Sequence, residues 1–416
     1  MRVLFLTHYF HPEGNAPGTR VYELCRRWVA MGHDVTVITG VPNVPNGVAY
    51  EGYENSWLKR ERVEGIETIR VWTYLAANKG TTRRILNYLS LMLSATVAAL
   101  FIRKPDLVIA TSPQFFCGWA GVWVGRLRRI PFVLEVRDLW PESIVAVGAM
   151  RAGRWLRFLE WLERRMYAAA SRIVTVGAGY RDRLADRGVA TERIDIVPNG
   201  VDRGLFADHG DGAALREKYD LGGAFVCSYI GTIGMGSGLE VVLRAARLLR
   251  EEGRDDIKFV LVGDGAVREA LERRALQEGL EQVVFTGRQD KRTIPDFLSM
   301  SDACLVHLLR RDLFRSVLPS KIFEAAAMKK PIILGVEGSA AQIVREASAG
   351  ICIEPENEGE LVEAVKRLAR DRELAERLGQ AGFESIAAVY DYDRLAEKYA
   401  EIIERVAAMG NSRLRG

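Results

Sequence analysis

Along the first 200 positions, short continuous apolar runs alternate with longer stretches in which apolar residues recur at helical spacing. The runs at 3–6, 35–38, 69–71, 107–110, 132–136, 173–176 and 194–197 predict strands. Short β-branched runs between helices indicate a parallel sheet covered on both faces. A Pro-Asn-Gly turn at 198–200 ends the last of them, and the polar, glycine-rich stretch 206–223 predicts an interdomain linker. The alternation then restarts, with strands predicted at 225–230, 258–262, 283–285, 303–306, 331–334 and 350–353. The expected fold is α/β: two doubly wound Rossmann-like domains facing a cleft. In such sheets ligands sit beyond the carboxyl ends of the strands.

Two helical segments leave a choice. Residues 85–102 carry no charge and lie between Arg83-Arg84 and Arg103-Lys104, a marginal length for a membrane span. A span would separate the strand at 3–6 from the one at 107–110, and Asn87, Ser90, Ser94 and Thr96 weaken it further. A buried helix is expected, with shallow membrane contact left open. In "RWLRFLEWLERRMY", Trp155, Phe158, Leu159, Leu162 and Met166 share one helical face, with Arg154, Arg157, Glu160 and Arg164 around the others. That helix either covers the sheet or lies at an interface where basic residues meet anionic headgroups.

Composition narrows the function. A chain of 416 residues is too long for one compact core. Its 48% hydrophobic and 27% charged residues are ordinary for a globular protein, and a net charge of +4 makes no case for bulk nucleic-acid binding. Five cysteines are scattered without a CxxC pair, and four of them lie in or beside apolar runs, which predicts buried thiols in a reducing cytosol. Five dispersed histidines and no HExxH argue against a structural metal. The five-residue apolar run opening "MRVLFLTHYFHPEG" suits a strand, not the core of a signal peptide.

Candidate chemistry gathers at the predicted strand ends. "HPEGNAPGTR" places Gly14 and Gly18 before a helix expected at 22–30, and "GTIGMGSGLE" places Gly231, Gly234, Gly236 and Gly238 before one at 239–249. Glycine lets backbone N–H groups approach an anion at a helix start. Leu239 stands where a dinucleotide fingerprint needs its third glycine, "VGDGAVR" offers only Gly263 and Gly265, and no GxxxxGK[ST] occurs. A nicotinamide-dependent enzyme is therefore disfavoured. "VLPSKIFEAAAMKKPII" enters a helix through Pro319-Ser320 with Lys321 and Glu324 one turn apart. They suit a ligand with phosphate and hydroxyl groups, or form a solvated i,i+3 pair. "EVRDLWPE" puts Arg137 and Asp138 at a strand end with Trp140-Pro141, facing the cleft or joined in a local salt bridge. Arg288 in "FTGRQD" lines a base pocket or caps its strand.

"YIGTIGMGSGLEVVL", "LVGDGAVRE", "IVPNGVD" and the Lys321 stretch resemble the nucleotide-binding half of retaining glycosyltransferases of family 4, with the GT-B fold. "LEVRDLWPES" and "FHPEGNAPGTR" resemble the branch that builds bacterial surface polysaccharides, such as capsule or O-antigen, by adding amino sugars to lipid-linked acceptors. The resemblance covers nearly the whole chain. It implies an acceptor-binding domain over 1–200, a nucleotide-sugar domain over 201–393, and a terminal segment, 394–416, packing back on the first. It also implies a UDP-sugar donor, no cofactor or metal, a polyprenyl-diphosphate-linked or other glycan acceptor, and a peripheral place on the cytoplasmic face of the cell membrane. The implied membrane surface joins the charge-free region 89–102 and its flanking Arg83, Arg84, Arg103 and Lys104 to Arg154, Trp155, Arg157 and Phe158.

Residue by residue, the second Glu of the family's Glu-x7-Glu donor motif matches Glu324 and would bind the ribose hydroxyls. Ser316 stands where the first Glu belongs, a departure. Thr232 and Ser237 stand where relatives often carry Arg and Lys for the diphosphate, so Lys321 inherits that task, with Arg20 and loop amides from Leu318 to Ser320. The implied donor site is Gly14, Gly18, Arg20, Gly231, Thr232, Ile233, Gly263, Gly265, Arg288, Ser316, Leu318, Pro319, Ser320, Lys321 and Glu324. Arg137, at a position often histidine in relatives, Asp138 and Lys321 would stand nearest the chemistry. Retention in this family is explained without an enzyme nucleophile: a diphosphate oxygen takes the acceptor proton, and the protein stabilises the leaving charge. The Asp391-Tyr392-Asp393 stretch precedes the final helix and suits an N-cap, not a metal site. Alternatives are an inverting GT-B enzyme with Asp138 as base, or a non-catalytic two-domain sugar- or nucleotide-binding protein.

Overall fold

A computed structural model describes residues 1–44, 46–76, 81–112, 115–139, 153–207 and 210–413, and it divides into two compact units. The first unit comprises Met1–Pro198 and Tyr392–Gly416, the second Asn199–Asp391.

The first unit's strands are β1 (Arg2–Leu6), β2 (Asp34–Thr39), β3 (Leu58–Val63), β4 (Ile66–Val71), β5 (Leu107–Ser112), β6 (Phe132–Val136), β7 (Arg172–Thr175) and β8 (Ile194–Ile196). They form one sheet in the order β3-β4-β2-β1-β5-β6-β7-β8. All neighbours run parallel except β3, which pairs antiparallel with β4. The run pattern could not show β3, because "LKRERV" is charged and exposed. It is an edge strand made by a hairpin through Glu64 and Gly65, whose φ of 45° and 85° fit a two-residue turn. Arg70 closes it by donating to Glu61 at 2.7 Å.

Helices α1 (Ala16–Ala30), α2 (Thr81–Leu100), α3 (Phe115–Arg128), α4 (Arg154–Ala169) and α5 (Ala178–Asp186) cover this sheet. Helix α2 packs along α3, and α3 against α4, on one face. There Leu91, Met92, Ala95 and Ala99 of α2 and Met166 of α4 join the core under β5 and β6. The opposite face is covered by α1 and the chain's last helix, whose Leu395, Tyr399 and Ile403 pack with Leu24 and Trp28.

The second unit's strands are β9 (Phe225–Ile230), β10 (Ile257–Val262), β11 (Val283–Gly287), β12 (Ala303–His307), β13 (Ile332–Gly335) and β14 (Gly350–Cys352). They form an all-parallel sheet in the order β11-β10-β9-β12-β13-β14. Its helices are α6 (Arg203–Ala207), α7 (Gly212–Lys218), α8 (Glu240–Glu251), α9 (Arg268–Gln277), α10 (Ile294–Met300), α11 (Lys321–Ala327), α12 (Ser339–Glu346), α13 (Glu358–Arg370) and α14 (Arg372–Gly382).

Two expectations are corrected here. The stretch 206–223 is not a linker: Phe206 and Leu221 are buried in the second unit's core, and α7 lies between them in sequence. The division falls at Pro198, where β8 ends. The segment 85–102 is buried on one face only, since Leu86, Leu93 and Val97 are exposed. No helix of the described residues is long and apolar enough to cross a membrane.

The final helix, α15 (Tyr392–Arg413), returns to the first unit. Trp28 donates its indole N–H to the Ala396 carbonyl at 3.0 Å and meets the Tyr399 ring edge-on. Asp393 pairs with Arg27 and Asp391 with Arg203, so both aspartates around the helix start serve structure. Four of the five cysteines are buried, and burial pushes the Cys117 thiol up to about 12.

Candidate active site

In the second unit the site is built first from backbone. Strand β9 ends at Ile230 and the chain turns at Gly231; β10 ends at Val262 and turns at Gly263. Both glycines have φ of 139°, a conformation side chains rarely allow. The turns also nest against each other: a Cβ on Gly263 would lie 2.0 Å from the Gly231 carbonyl oxygen, and one on Gly265 2.4 Å from that of Ile233. Backbone hydrogen bonds fix the arrangement, from Gly231 N–H to Val262 O (2.8 Å), Gly263 N–H to Gly287 O (2.9 Å) and Ile233 N–H to Asp264 O (3.0 Å).

His307, at the end of β12, ties down the rest of the glycine loop. Its Nδ1 lies 2.8 Å from the Ser237 carbonyl oxygen, and its Nε2 lies 2.9 Å from the Glu356 backbone nitrogen. A carbonyl can only accept and an N–H only donate, so the proton sits on Nδ1 and Nε2 accepts. Burial lowers the pKa of this ring, in keeping with a neutral imidazole. Sequence reasoning missed His307; its signal was a polar residue closing the apolar run "ACLVH".

Against these turns stands the start of α11. The Lys321 side chain crosses Gly231 so closely that a Cβ there would meet its Nζ at 2.8 Å, and that ammonium lies 4.8 Å from the centroid of the Tyr229 ring. Tyr229 in turn donates its hydroxyl to the Thr232 carbonyl at 2.8 Å. Within the described residues Lys321 makes neither an ion pair nor a hydrogen bond through its ammonium, and the Glu324 carboxylate accepts no hydrogen bond. The two form no salt bridge with each other, so a solvated i,i+3 pair is not what holds them. Burial raises the Glu324 carboxyl pKa, while Lys291 and Lys321 pull it back.

The remaining sequence-predicted donor residues of this unit divide. Thr232 is exposed at the loop, Arg288 is exposed just past β11, and Ser316 is partly exposed in the 3-10 turn Asp312–Ser316. Ile233 is fully buried, so only its backbone serves the loop. Leu318 is buried, and Pro319 has no N–H, which removes one of the three amides assigned to an anion.

The first unit holds a charged cluster of another kind. Glu135, on β6, is fully buried and accepts from Arg20 Nε at 3.1 Å. Arg20 also donates to the carbonyls of Val197 (2.8 Å) and Pro198. Arg137 approaches Glu135 at 3.6 Å and donates to the Pro17 carbonyl (3.1 Å) and the Thr111 hydroxyl (3.0 Å). The assignment of Arg20 to a diphosphate is therefore corrected: its guanidinium is inside the domain and engaged on every side. Arg137 likewise turns inward to Glu135. Gly18 is corrected too, because its N–H already donates to the Asn15 side chain that caps α1 (2.8 Å), whereas Gly14 is exposed. Asp138 is partly exposed and accepts from the Leu139 N–H at 2.9 Å. Trp140 and Pro141 lie outside the described residues, as does the side chain of Trp155.

His8, just past β1, was also missed. It is buried between the ring edges of Tyr9 (4.7 Å) and Tyr88 (4.9 Å), and burial pushes its pKa down to about 4. Its Nδ1 has no hydrogen-bond partner among the described residues. Arg84 donates to the Tyr88 hydroxyl at 3.3 Å, so the start of α2 borders this spot. Among the described residues no three of His, Cys, Asp and Glu converge as metal ligands would.

The glycosyl transferase 4-like domain family matches residues 15–200, and the glycosyl transferases group 1 family matches residues 213–385. The chain belongs to the family 4 glycosyltransferases. This glycosyltransferase is 28% identical over 379 residues to WcaI of Escherichia coli K12, named as a colanic acid biosynthesis glycosyl transferase; the match covers 88% of this chain and 92% of WcaI. It is 28% identical over 326 residues, 73% of this chain and 82% of the relative, to a GDP-mannose-dependent phosphatidylinositol monomannoside mannosyltransferase of Mycobacterium tuberculosis. Its fold matches Anabaena HepE, solved with UDP-glucose, at a TM-score of 0.71 and 17% identity, over 97% of this chain and 100% of HepE. Each unit is thus one of the two parallel-sheet domains of the GT-B architecture.

Proposed function

We propose that this glycosyltransferase moves a sugar, of the N-acetylated amino-sugar class, from a UDP-sugar to a lipid-linked or saccharide acceptor in surface-polysaccharide assembly, with retention of configuration. The observation that carries the donor half is the start of α11. Among the described residues Lys321 and Glu324 make no ion pair and no side-chain hydrogen bond, and they stand beside two glycine turns whose backbone a ligand can approach closely. In this reading Glu324 accepts from both ribose hydroxyls and Lys321 neutralises the diphosphate. The acceptor hydroxyl passes its proton to a diphosphate oxygen as the sugar–oxygen bond breaks, and Lys321 stabilises the charge that develops there. The surface-polysaccharide setting draws on the colanic acid relative, and UDP on the HepE complex; the mycobacterial relative makes GDP-mannose the competing donor.

Calorimetry with UDP, GDP, ADP and dTDP tests the donor. UDP should bind tightest, and Glu324→Ala should weaken it by about 1.5–3 kcal/mol, the range for charge-assisted hydrogen bonds, without lowering thermal stability. Unchanged UDP affinity in that variant removes the ribose assignment. Activity should also persist in EDTA, since the charge is assigned to Lys321 and loop amides; a tenfold loss restored by magnesium would assign it to a metal. The anomeric configuration of the product, read by NMR, decides retention, and inversion would transfer the key role to Asp138 as base.

A further inference from the structure

We infer that Trp57 and Trp72 form a sugar-stacking platform at the outer edge of the first sheet, for a saccharide ring other than the reacting one. The two residues face each other across the β3-β4 pair, one step beyond Leu58 and Val71, and the Trp72 N–H donates to the Trp57 carbonyl at 3.3 Å. Their rings lie 5.5 Å apart and tilted by 33°. Trp57 is 79% exposed and Trp72 partly so. At that exposure the Trp57 indole gains little from burial, so folding gives no reason for it.

The pair is held in place. Asn55 donates from Nδ2 to the Thr73 carbonyl at 2.7 Å and accepts from the Thr73 N–H at 3.1 Å, so its side chain extends the ladder past both tryptophans. Next in the chain, the Tyr74 N–H donates to the Ser90 hydroxyl (2.8 Å) and the Tyr74 carbonyl accepts from Asn87 (2.7 Å), both on α2. Rings fixed in this way lose little freedom when a ligand stacks on them.

Size and charge select the occupant. A tryptophan buries at most about 250 Å², and Trp72 is already partly covered. Even with an equal share from a partner, the pair stays below the roughly 1,000 Å² of a stable protein interface. The strand beyond adds nothing apolar on this face: Leu58 alternates to the opposite one, and Lys59, Arg60 and Arg62 are exposed, which guards an edge strand against pairing. An anionic bilayer fits poorly, because Glu51 and Glu54 are exposed on the stretch leading into Trp57. A sugar ring fits. Its small C–H face lies on the electron-rich face of an indole, and its hydroxyls reach sideways to polar groups. Alternation puts Lys59 on the same face as Trp57, and the Lys59 ammonium makes no ion pair or hydrogen bond among the described residues.

Placement gives the platform a purpose. Trp72 follows the carboxyl end of β4, on the edge where ligands of such sheets sit. The strand order reverses at β1, and only β2 lies between β1 and β4. The pair therefore stands about 10 Å, two strand spacings, sideways from the end of β1. That distance suits a second ring of a chain whose terminal sugar lies at the reversal point. The platform then favours acceptors bearing an oligosaccharide over those bearing one sugar. This selection rests on the saccharide acceptor proposed above; sugar binding by the platform does not.

Binding of the full chain to an array of bacterial surface oligosaccharides, without donor, tests it. The parent should bind at least one class of oligosaccharide, more tightly than the corresponding monosaccharide. Trp57→Ala should lose at least tenfold in that affinity while keeping the parent's melting temperature and UDP affinity. Trp57→Tyr should recover most of the loss, since a flat ring is what the sugar needs, and Lys59→Ala should lose less than Trp57→Ala. A parent silent on the whole array overturns the platform, as does a Trp57→Ala protein that binds like the parent. Equal affinity for monosaccharide and oligosaccharide overturns the selection. A silent array with a dimer that Trp57→Ala dissociates, read by sedimentation, assigns the pair to self-association instead. UDP binding measured on the same samples keeps a failed platform distinct from a failed donor assignment.

Discussion

Arg20, Glu135 and Arg137 in the first unit, and Lys321 and Glu324 in the second, all stand at or near the carboxyl ends of parallel strands. The first three are engaged with each other and with backbone carbonyls inside their domain. The latter two make no salt bridge and no side-chain hydrogen bond among the described residues. The same position in the same architecture therefore serves two purposes. Inside the first unit, charges must be mutually satisfied because an uncompensated buried charge is costly. At the second unit's edge, charges left unpaired remain available to a ligand. Position at a strand end predicts access to a ligand; burial decides whether the access is used.

The comparison breaks most visibly at Glu135. Its replacement by Ala leaves Arg20 and Arg137 facing each other without their shared carboxylate, and should destabilise the protein by about 3–5 kcal/mol. A large fall in melting temperature is expected, whereas Lys321→Ala should leave melting unchanged and weaken UDP binding. A Glu135→Ala protein that melts like the parent would mean that the buried cluster is not structural.

A smaller effect is expected at His307, which belongs to neither class. It touches no ligand in the proposed reading and ties the glycine loop at Ser237 to the backbone at Glu356, with one hydrogen bond to each. His307→Ala leaves the Ser237 carbonyl and the Glu356 N–H without partners, at a cost of about 1–3 kcal/mol. Donor KM should rise while kcat changes little, because the loop loses its position and not its chemistry. An unchanged KM with lowered stability would reduce His307 to packing.

Most of the fold was legible because buried parallel strands must be apolar and short. Every strand of the second sheet was predicted within about two residues of its observed ends, and β3 escaped because an edge strand needs no apolar run. The glycine turns were legible as chemistry because φ of 139° at Gly231 and Gly263 strongly favours glycine over residues with a side chain. Burial of single polar residues was not legible. Nothing local distinguishes Arg20, fully enclosed, from Arg288, exposed, since the difference lies in partners more than a hundred residues away. The stretch 206–223 misled in the opposite way, because glycine and charge suggested a linker while Phe206 and Leu221 anchor it in a core. Glu135 gave the clearest overlooked signal: a carboxylate inside "FVLEV" has to be paired.

The mildest expected effect tests the second unit's half of the comparison through pH. Burial holds the Glu324 carboxyl pKa above its ordinary 4.5 in the unliganded protein. The folded chain then takes up a proton there more readily than the unfolded one, so this group favours the fold at acid pH and opposes it once ionised. Donor binding should run the other way. Ribose hydroxyls donate to the ionised carboxylate, so affinity is full above the raised pKa and declines as pH falls through it. An intact UDP-sugar is the right probe, because its diphosphate lacks the terminal phosphate ionisation near about pH 6. The loss over one pH unit should stay below about tenfold, the equivalent of one pKa unit of coupling. Glu324→Gln should flatten both curves. If the variant kept the parent's pH dependence of donor affinity, the titrating group would lie elsewhere, and the unpaired carboxylate at the start of α11 would lose its assigned role.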